Sequence, residues 1–287
     1  MGFSWLFRFP KIQSKCSLNR LSMMTVALRI LLIISFSLRD KPSTMSNNPP
    51  RLTGKIHPSR IRQFAVPRAA PGLLERYRAL GHASGVLSDV MDRLGIPGVV
   101  GASTLKPTMP GKIIAGTALT VRNALQPGEG YANARVPTNK MAEFEAHNLA
   151  LPGDVVVIQG VAGVSNMGGI SAQTAKRQGE VGAIIEGGIR DVAHSRSVDF
   201  PIWASEITPI TGKWRLETME INGDIDIAGM RVSCGDIVFA DDTGVCFVPI
   251  ARAEEVLLWT ERIVRAEAIK CDAIDAGMHI ADLPKTE

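Results

Sequence analysis

The chain has 287 residues, enough for one large domain or two small ones with a substantial core. Its formal charge of +4 is concentrated at one end: seven basic side chains against Asp40 in residues 1–44 make a net +6, which leaves the body at −2. That balance gives the body no bulk electrostatic reason to bind nucleic acid or an anionic membrane.

Residues 1–44 are basic and almost free of acids, with an apolar run from Ile30 to Leu38 that is short for a bilayer span and abuts Arg29. Three readings stay open: a mitochondrial-type transit segment, a poor signal anchor, or an untranslated upstream extension with Met45 as the true start. The expected location is cytoplasmic, or mitochondrial if 1–44 is translated. Residues 45–72, rich in Pro and Arg, read as an arm or linker, and 73–287 as one domain.

Leu73, Leu74, Tyr77 and Leu80 recur at helical spacing, and Ser84 or Ser88 is placed to cap a second helix that Gly95-Ile-Pro-Gly98 stops. Thr104–Lys106 and Ile113–Arg122 read as strands, and Lys140–Leu149 as a short helix closed by Pro152-Gly153. The central block alternates: strand Asp154–Ile158, a glycine-bearing loop from Gly160 to Gly169, helix Ile170–Gln178, strand Val181–Glu186, a short helix from Val192, and strand Phe200–Ala204. This order implies parallel neighbours joined by crossover helices. After Glu206 short strands, including Ile237–Ala240 and Val245–Ile250, suit an antiparallel or barrel-like section. Asp241-Asp-Thr-Gly244 is a hairpin turn, and an amphipathic helix runs from about Ala251 to Ala276. The four cysteines have no metal-ligand spacing and read as scattered thiols.

The strongest local signal is Glu186-Gly-Gly-Ile-Arg-Asp191, because ligands of α/β sheets bind at the carboxyl ends of strands. The two glycines permit close backbone approach to a ligand. Arg190 is suited to clamp a carboxylate in two-pronged fashion and Asp191 to hold a hard cation such as Mg²⁺. The alternative is that Asp191 caps its helix and Arg190 pairs with a surface acid. The loop Gly160–Gly169 precedes a helix, and free N–H groups there form an anion site; the alternative is a tight turn. Glu267, at the edge of the apolar face of the last helix, either pairs with Lys270 or reaches across a subunit interface. The five histidines are dispersed, with His194 one helical turn after the Arg-Asp pair. There is no Gly-x-Ser-x-Gly elbow and no phosphate-binding Gly-Lys-Ser/Thr run.

Taken in order, Ser88-Asp-Val-Met-Asp-Arg-Leu-Gly95, Pro110-Gly-Lys-Ile-Ile-Ala-Gly-Thr-Ala118, Pro152-Gly-Asp-Val-Val-Val157, Gly168-Gly-Ile170, Gly187-Gly-Ile-Arg-Asp191 and Gly235-Asp-Ile-Val-Phe-Ala-Asp-Asp-Thr-Gly-Val245 resemble the 4-hydroxy-4-methyl-2-oxoglutarate aldolases. That family shares its fold with the regulator of ribonuclease activity A, and the resemblance covers residues 81–270. It implies an α/β, layered α-β-β-α fold of swivelling-domain type around a small barrel-like sheet. It also implies assembly as homotrimers or hexamers with sites between subunits. The implied chemistry is divalent-metal-dependent class II aldolase cleavage of 4-hydroxy-2-oxo acids to pyruvate, with oxaloacetate decarboxylation as a companion. By resemblance, Asp191 anchors Mg²⁺ or Mn²⁺, Arg190 binds the pyruvyl end, and the loop Asn166, Met167, Gly168, Gly169 and Ile170 helps hold the oxo acid. Glu267 is the matching acid of the last helix, supplied by a neighbouring subunit. The alternative is a non-catalytic regulator of the ribonuclease-binding type. One departure stands out: many bacterial aldolases of this kind carry an acid where this chain has Gly169, which removes one supporting carboxylate and leaves the preferred substrate open.

Overall fold

The computed structural model describes residues 51–136 and 139–285, so the leader and the first residues of the arm lie outside the described residues. Its centre is a parallel block. Strand β3 (Ile114–Leu125) pairs in parallel with β4 (Asp154–Gln159), β4 with β6 (Gly182–Ile189), and β6 with β7 (Ile202–Ile207). The crossovers carry helices α4 (Glu143–Leu149), α5 (Gly169–Gln178) and α6 (Val192–Ser197), which follow a short α3 (Gly130–Arg135). Strands buried on both faces need near-continuous apolar runs, which is what Val155–Ile158 and Ala183–Ile185 supply.

Apart from a short parallel strand at residues 165–167, the rest of the sheet is antiparallel. On the free edge of β3 lie β11 (Ile237–Ala240), β12 (Gly244–Val248) and β1 (Val99–Gly101), in that order. β2 (Lys106–Pro107) borders β7, and β8 (Leu216–Ile221) pairs with the second half of β3 across an irregularity at Arg122/Asn123. β9 (Ile225–Ile227) and β10 (Met230–Val232) form a separate hairpin.

Alternation along these strands explains the layers. Val155 and Val157 face one core with Ala118, Ile184, Trp203, Val238, Val245 and Phe247. Their neighbours Val156 and Ile158 face a second core with α4 and α5, through Ala142, Ala146, Leu149, Ala172 and Ala175. On the antiparallel side, Ile237, Phe239, Cys246 and Val248 face a third core against α1 (Leu73–Ala79), α2 (Ser84–Arg93) and α7 (Ala253–Asp275). The first core is thus the inside of a curled sheet with helices on two outer sides, and the α-β-β-α layering follows from a period of two on every strand. Trp203 ties the curl by donating its indole N–H to the Asp241 carbonyl at 2.8 Å. The strand path stays open, ending on β1 and β2, so the barrel-like expectation holds for the curvature but not for closure.

Several local expectations change. The Asp241–Gly244 turn does more than reverse the chain: the Asp241 carboxylate accepts from the Ser84 N–H (3.0 Å) and hydroxyl (2.7 Å), capping α2 from a distant hairpin. Residues 51–72 are not a loose linker. Ile56, Ile61 and Val66 are buried, and Arg60 and Arg62 pair with Glu217 and Glu220. Arg68 pairs with Asp154, which is fully buried at the start of β4 and also accepts the Leu151 N–H at 2.8 Å. Helix α7 buries Ala253, Val256, Leu257 and Thr260, whereas Ile269 and Ile274 in its second half are exposed. Cys246 sits in the core, where burial pushes its thiol up to about 12. No helix among the described residues is long and apolar enough to cross a membrane.

Removing the Asp154 carboxylate by Asp154→Ala leaves Arg68 and the Leu151 N–H without their partner, and about 2–4 kcal/mol of stability is expected to be lost. Arg231→Ala, which breaks the exposed Arg231–Asp224 pair on the β9–β10 hairpin, is expected to cost less than about 1 kcal/mol. Urea unfolding midpoints of the two variants check the contrast.

Candidate active site at the carboxyl end of strand β6

The glycine pair of the Gly-Gly-Ile-Arg-Asp motif lies inside β6, two residues before its end. Gly187 has φ +124°, and a Cβ on it would stand 2.6 Å from the Asn166 amide nitrogen and 2.8 Å from the Val161 carbonyl oxygen. A Cβ on Gly188 would stand 2.5 Å from the Val164 carbonyl oxygen. The backbone that needs this room is therefore the protein's own loop, residues 160–167, and the expected approach of a ligand to these two glycines gives way to that packing. Asn166 fastens the loop. Its amide donates to the carbonyls of Val161 and Val164 and, at 3.4 Å, of Gly188, while its side-chain oxygen accepts from the Val161 N–H. The loop then delivers a short strand, β5 (Ser165–Met167), which pairs with β6, and the Arg190 N–H continues that ladder to the Met167 carbonyl at 3.1 Å.

Asp191 follows in the left-handed region, φ 56°, a conformation Asp tolerates better than most residues. Its carboxylate makes no capping bond to its own helix. Oδ2 instead accepts the N–H of Gly169 at 3.1 Å, the first residue of α5, with Arg190 Nε 3.5 Å from the same oxygen. Oδ1 has no hydrogen-bond partner among the described residues, and the side chain is half exposed. Arg190 is about one-third exposed, and among the described residues its guanidinium has no acid but Asp191. Beside it opens a cleft of about 40 Å³ bordered by Met167, Gly168, Arg190, Lys213 and Glu143.

The other predicted positions fall into distinct places. Met167 and Gly168 border the cleft with Arg190. Asn166 is fully buried with its amide engaged by backbone, and Ile170 is 72% exposed on the outward side of α5. Gly169 packs against α6: a Cβ there would lie 2.9 Å from the Cβ and Cγ of His194 and 3.1 Å from the Cβ of Asp191. His194 itself bonds Gln173 at 3.0 Å on the surface. Glu267 is exposed in the second half of α7, forms no ion pair with Lys270, and does not border this cleft.

Among the described residues no group of three or more His, Cys, Asp or Glu side chains converges on a point. A structural zinc site or an all-protein calcium cage needs such a set. The donors do fit a hard cation that keeps most of its waters, since Mg²⁺ is commonly held by one or two carboxylate oxygens and Asp191 Oδ1 is free and open.

Sequence reading missed three participants. Glu143 and Lys213 reach the cleft from a crossover helix and from the segment after β7. His147, buried, links Glu180 (2.7 Å) and Ser171 (2.8 Å), fastening α4 to the first turn of α5 and to the segment just after that helix. The available signal was polar residues at core-facing helical positions: Glu143, Glu145 and His147 alternate with the apolar residues of a short amphipathic helix.

Comparison with known proteins gives the family of the chain. Residues 85–247 match the family model described as RraA-like, Aldolase/RraA. The protein DlpA of Legionella pneumophila is 30% identical over 207 residues, which are 72% of this chain but 32% of that protein, so the match spans about a third of that relative's length. A protein of Halalkalibacterium halodurans named "Putative 4-hydroxy-4-methyl-2-oxoglutarate aldolase" is 29% identical over 173 residues, 60% of this chain and 74% of that one. The solved structure of an uncharacterized protein from Pseudomonas syringae superposes with a TM-score of 0.63 at 26% identity, covering 76% of this chain and 95% of the other. RraAS2 of Streptomyces coelicolor, at 23% identity and a TM-score of 0.58, shares the fold over 74% of this chain and 98% of its own. The family match runs from α2 to β12 and encloses the whole β5–β6–Arg190–Asp191 arrangement, and the chain belongs to the RraA-like family.

Proposed function

We propose that this protein is a divalent-metal-dependent class II aldolase that cleaves 4-hydroxy-2-oxo acids, of the 4-hydroxy-4-methyl-2-oxoglutarate type, to pyruvate, and that also decarboxylates oxaloacetate. The observation that carries the reading is the pairing of an acid-free guanidinium edge on Arg190 with a free carboxylate oxygen on Asp191 at one strand end, beside a cleft. Relatives named for this aldolase activity support it.

In this reading Arg190 takes the substrate's 1-carboxylate, with Lys213 as a second cation in the same cleft. The N–H groups after Gly169 in the first turn of α5 have no intrahelical acceptor and are available to an oxo-acid oxygen, while that of Gly169 is committed to Asp191. Asp191 would hold Mg²⁺ or Mn²⁺, which when bound stabilises negative charge at the C2 oxygen. Arg190 opposes the same charge and orients the C3–C4 bond. Both reactions proceed to the same pyruvate enolate, which is why one site serves both. Glu267 belongs to this reading as an acid supplied across a subunit interface in a trimer or hexamer; its exposure on the second half of α7 supports that placement.

In a coupled pyruvate-release assay with Mg²⁺, Asp191→Asn and Arg190→Ala are each expected to lower turnover by about 100-fold or more, and EDTA to abolish it in the unaltered protein. Full activity in EDTA would remove the metal from the proposal. No pyruvate release from any 4-hydroxy-2-oxo acid, together with tight ribonuclease association in a pull-down, would move the chain to the non-catalytic regulators. Gly169→Asp, which installs the acid that many related aldolases resemble one another in having, is expected to impair this chain. Its Cβ meets the side chain of His194 and the Cβ of Asp191, so a loss of about 1–3 kcal/mol in stability and a lower turnover should appear together.

A further inference from the structure

We propose that Glu143 is the proton donor of this site, delivering a proton to C3 of the pyruvate enolate; the inference rests on the aldolase reading above. Three observations lead there. Glu143 borders the cleft together with Arg190, Lys213 and Gly168. The residue is more than nine-tenths buried, at 8% exposure, and its Oε2 has no hydrogen-bond partner among the described residues. Neither cation of the cleft pairs with it: among the described residues no ion pair joins Glu143 to Arg190 or Lys213.

An unpaired carboxylate is expensive to bury, and burial of a carboxyl favours its protonated form. Burial pushes Glu143 up from the ordinary carboxylate range. Its own backbone N–H, then His147, Lys55 and Lys213, pull the other way without overcoming it. A structural role is better served by Glu145 two residues on, whose carboxylate accepts from the Thr53 N–H at 2.8 Å and from Asn148 at 2.9 Å. Glu143 has no comparable employment: its carboxyl borders the cleft beside Arg190 and Lys213 with Oε2 unpartnered among the described residues.

The reaction needs such a group. In retro-aldol cleavage the C3–C4 bond breaks, the 4-hydroxyl gives up its proton as C4 becomes a carbonyl, and the electron pair of the broken bond forms the enolate of pyruvate. Collapse of the enolate regenerates the C2 carbonyl and requires one proton at C3. Glu143 supplies it, and the resulting carboxylate recovers a proton through water, equal in number to the one released by the 4-hydroxyl. No oxidant, reductant or further reactant enters. The aldolase chemistry is thereby split between Arg190 and Asp191, which stabilise the oxyanion, and Glu143, which quenches the carbon.

The test uses the full chain loaded with Mg²⁺ and pyruvate in D₂O, following loss of the methyl proton signal by NMR. The unaltered protein should exchange the methyl protons. Glu143→Gln, which preserves size and removes the acid, should exchange about 100-fold more slowly or less, with Glu143→Asp intermediate. Exchange at the unaltered rate in Glu143→Gln, while the unaltered protein still releases pyruvate from the hydroxy acid, would overturn the role of Glu143 and leave the aldolase reading standing. Neither exchange nor pyruvate release by the unaltered protein would overturn both. An independent measurement needs no turnover: the infrared difference between the unaltered protein and Glu143→Gln at neutral pH should contain a protonated carboxyl stretch. A carboxylate band in its place would also sink the proposal.

Discussion

Where β6 ends, Gly187 and Gly188 leave the strand's flank bare, and the backbone of residues 160–167 lies directly on it. Everything at the site depends on that contact. Side chains at either glycine would collide with Asn166 or the Val164 carbonyl within 2.6 Å, and the loop would have to lift away. With the loop in place, Asn166 closes four bonds to backbone, β5 joins the ladder, and α5 starts at the point where its first N–H meets Asp191. The glycines of the motif therefore act on the protein's own backbone, by fixing the scaffold that presents Arg190 and Asp191.

The electrostatics of the site follow from how few partners those two side chains have. Asp191 commits one carboxylate oxygen to a helix N–H and keeps the other open, and its left-handed backbone turns the chain sharply from strand into helix. That geometry also explains Gly169. An acid there would have to grow into His194 and the base of Asp191, so in this chain the position belongs to the close packing of α5 against α6. In place of a carboxylate this position has a tighter helix contact, and the acid that borders the cleft comes from a different element, α4.

Much of the fold was legible because its signals are local. The apolar runs of β4 and β6, the helix between them and the glycine-punctuated hairpin at Asp241–Gly244 follow from periodicity and turn chemistry. β5 escaped notice because its three residues, Ser-Asn-Met, carry no strand propensity and pair only with distant residues, Gly188, Ile189 and Thr211. β8 and the ordered arm escaped for a similar reason: Ile61 and Ile221 bridge across 160 positions, and ion pairs such as Arg68 with Asp154 cannot be read from spacing.

The sequence by itself determined the order of the parallel block, the family to which the motifs point and the identity of the Arg190–Asp191 pair, because each depends on short-range patterns that backbone sterics and burial enforce. Tertiary structure alone decided that the glycines of the motif face the protein's own loop, that the Asp191 carboxylate engages α5 and not its own helix, and that Glu143 and Lys213 join Arg190 at one cleft. These are meetings between elements distant in the chain. A sheet that curls on itself while keeping its strand ends on one side is what brings them within reach, and no local propensity encodes that curl.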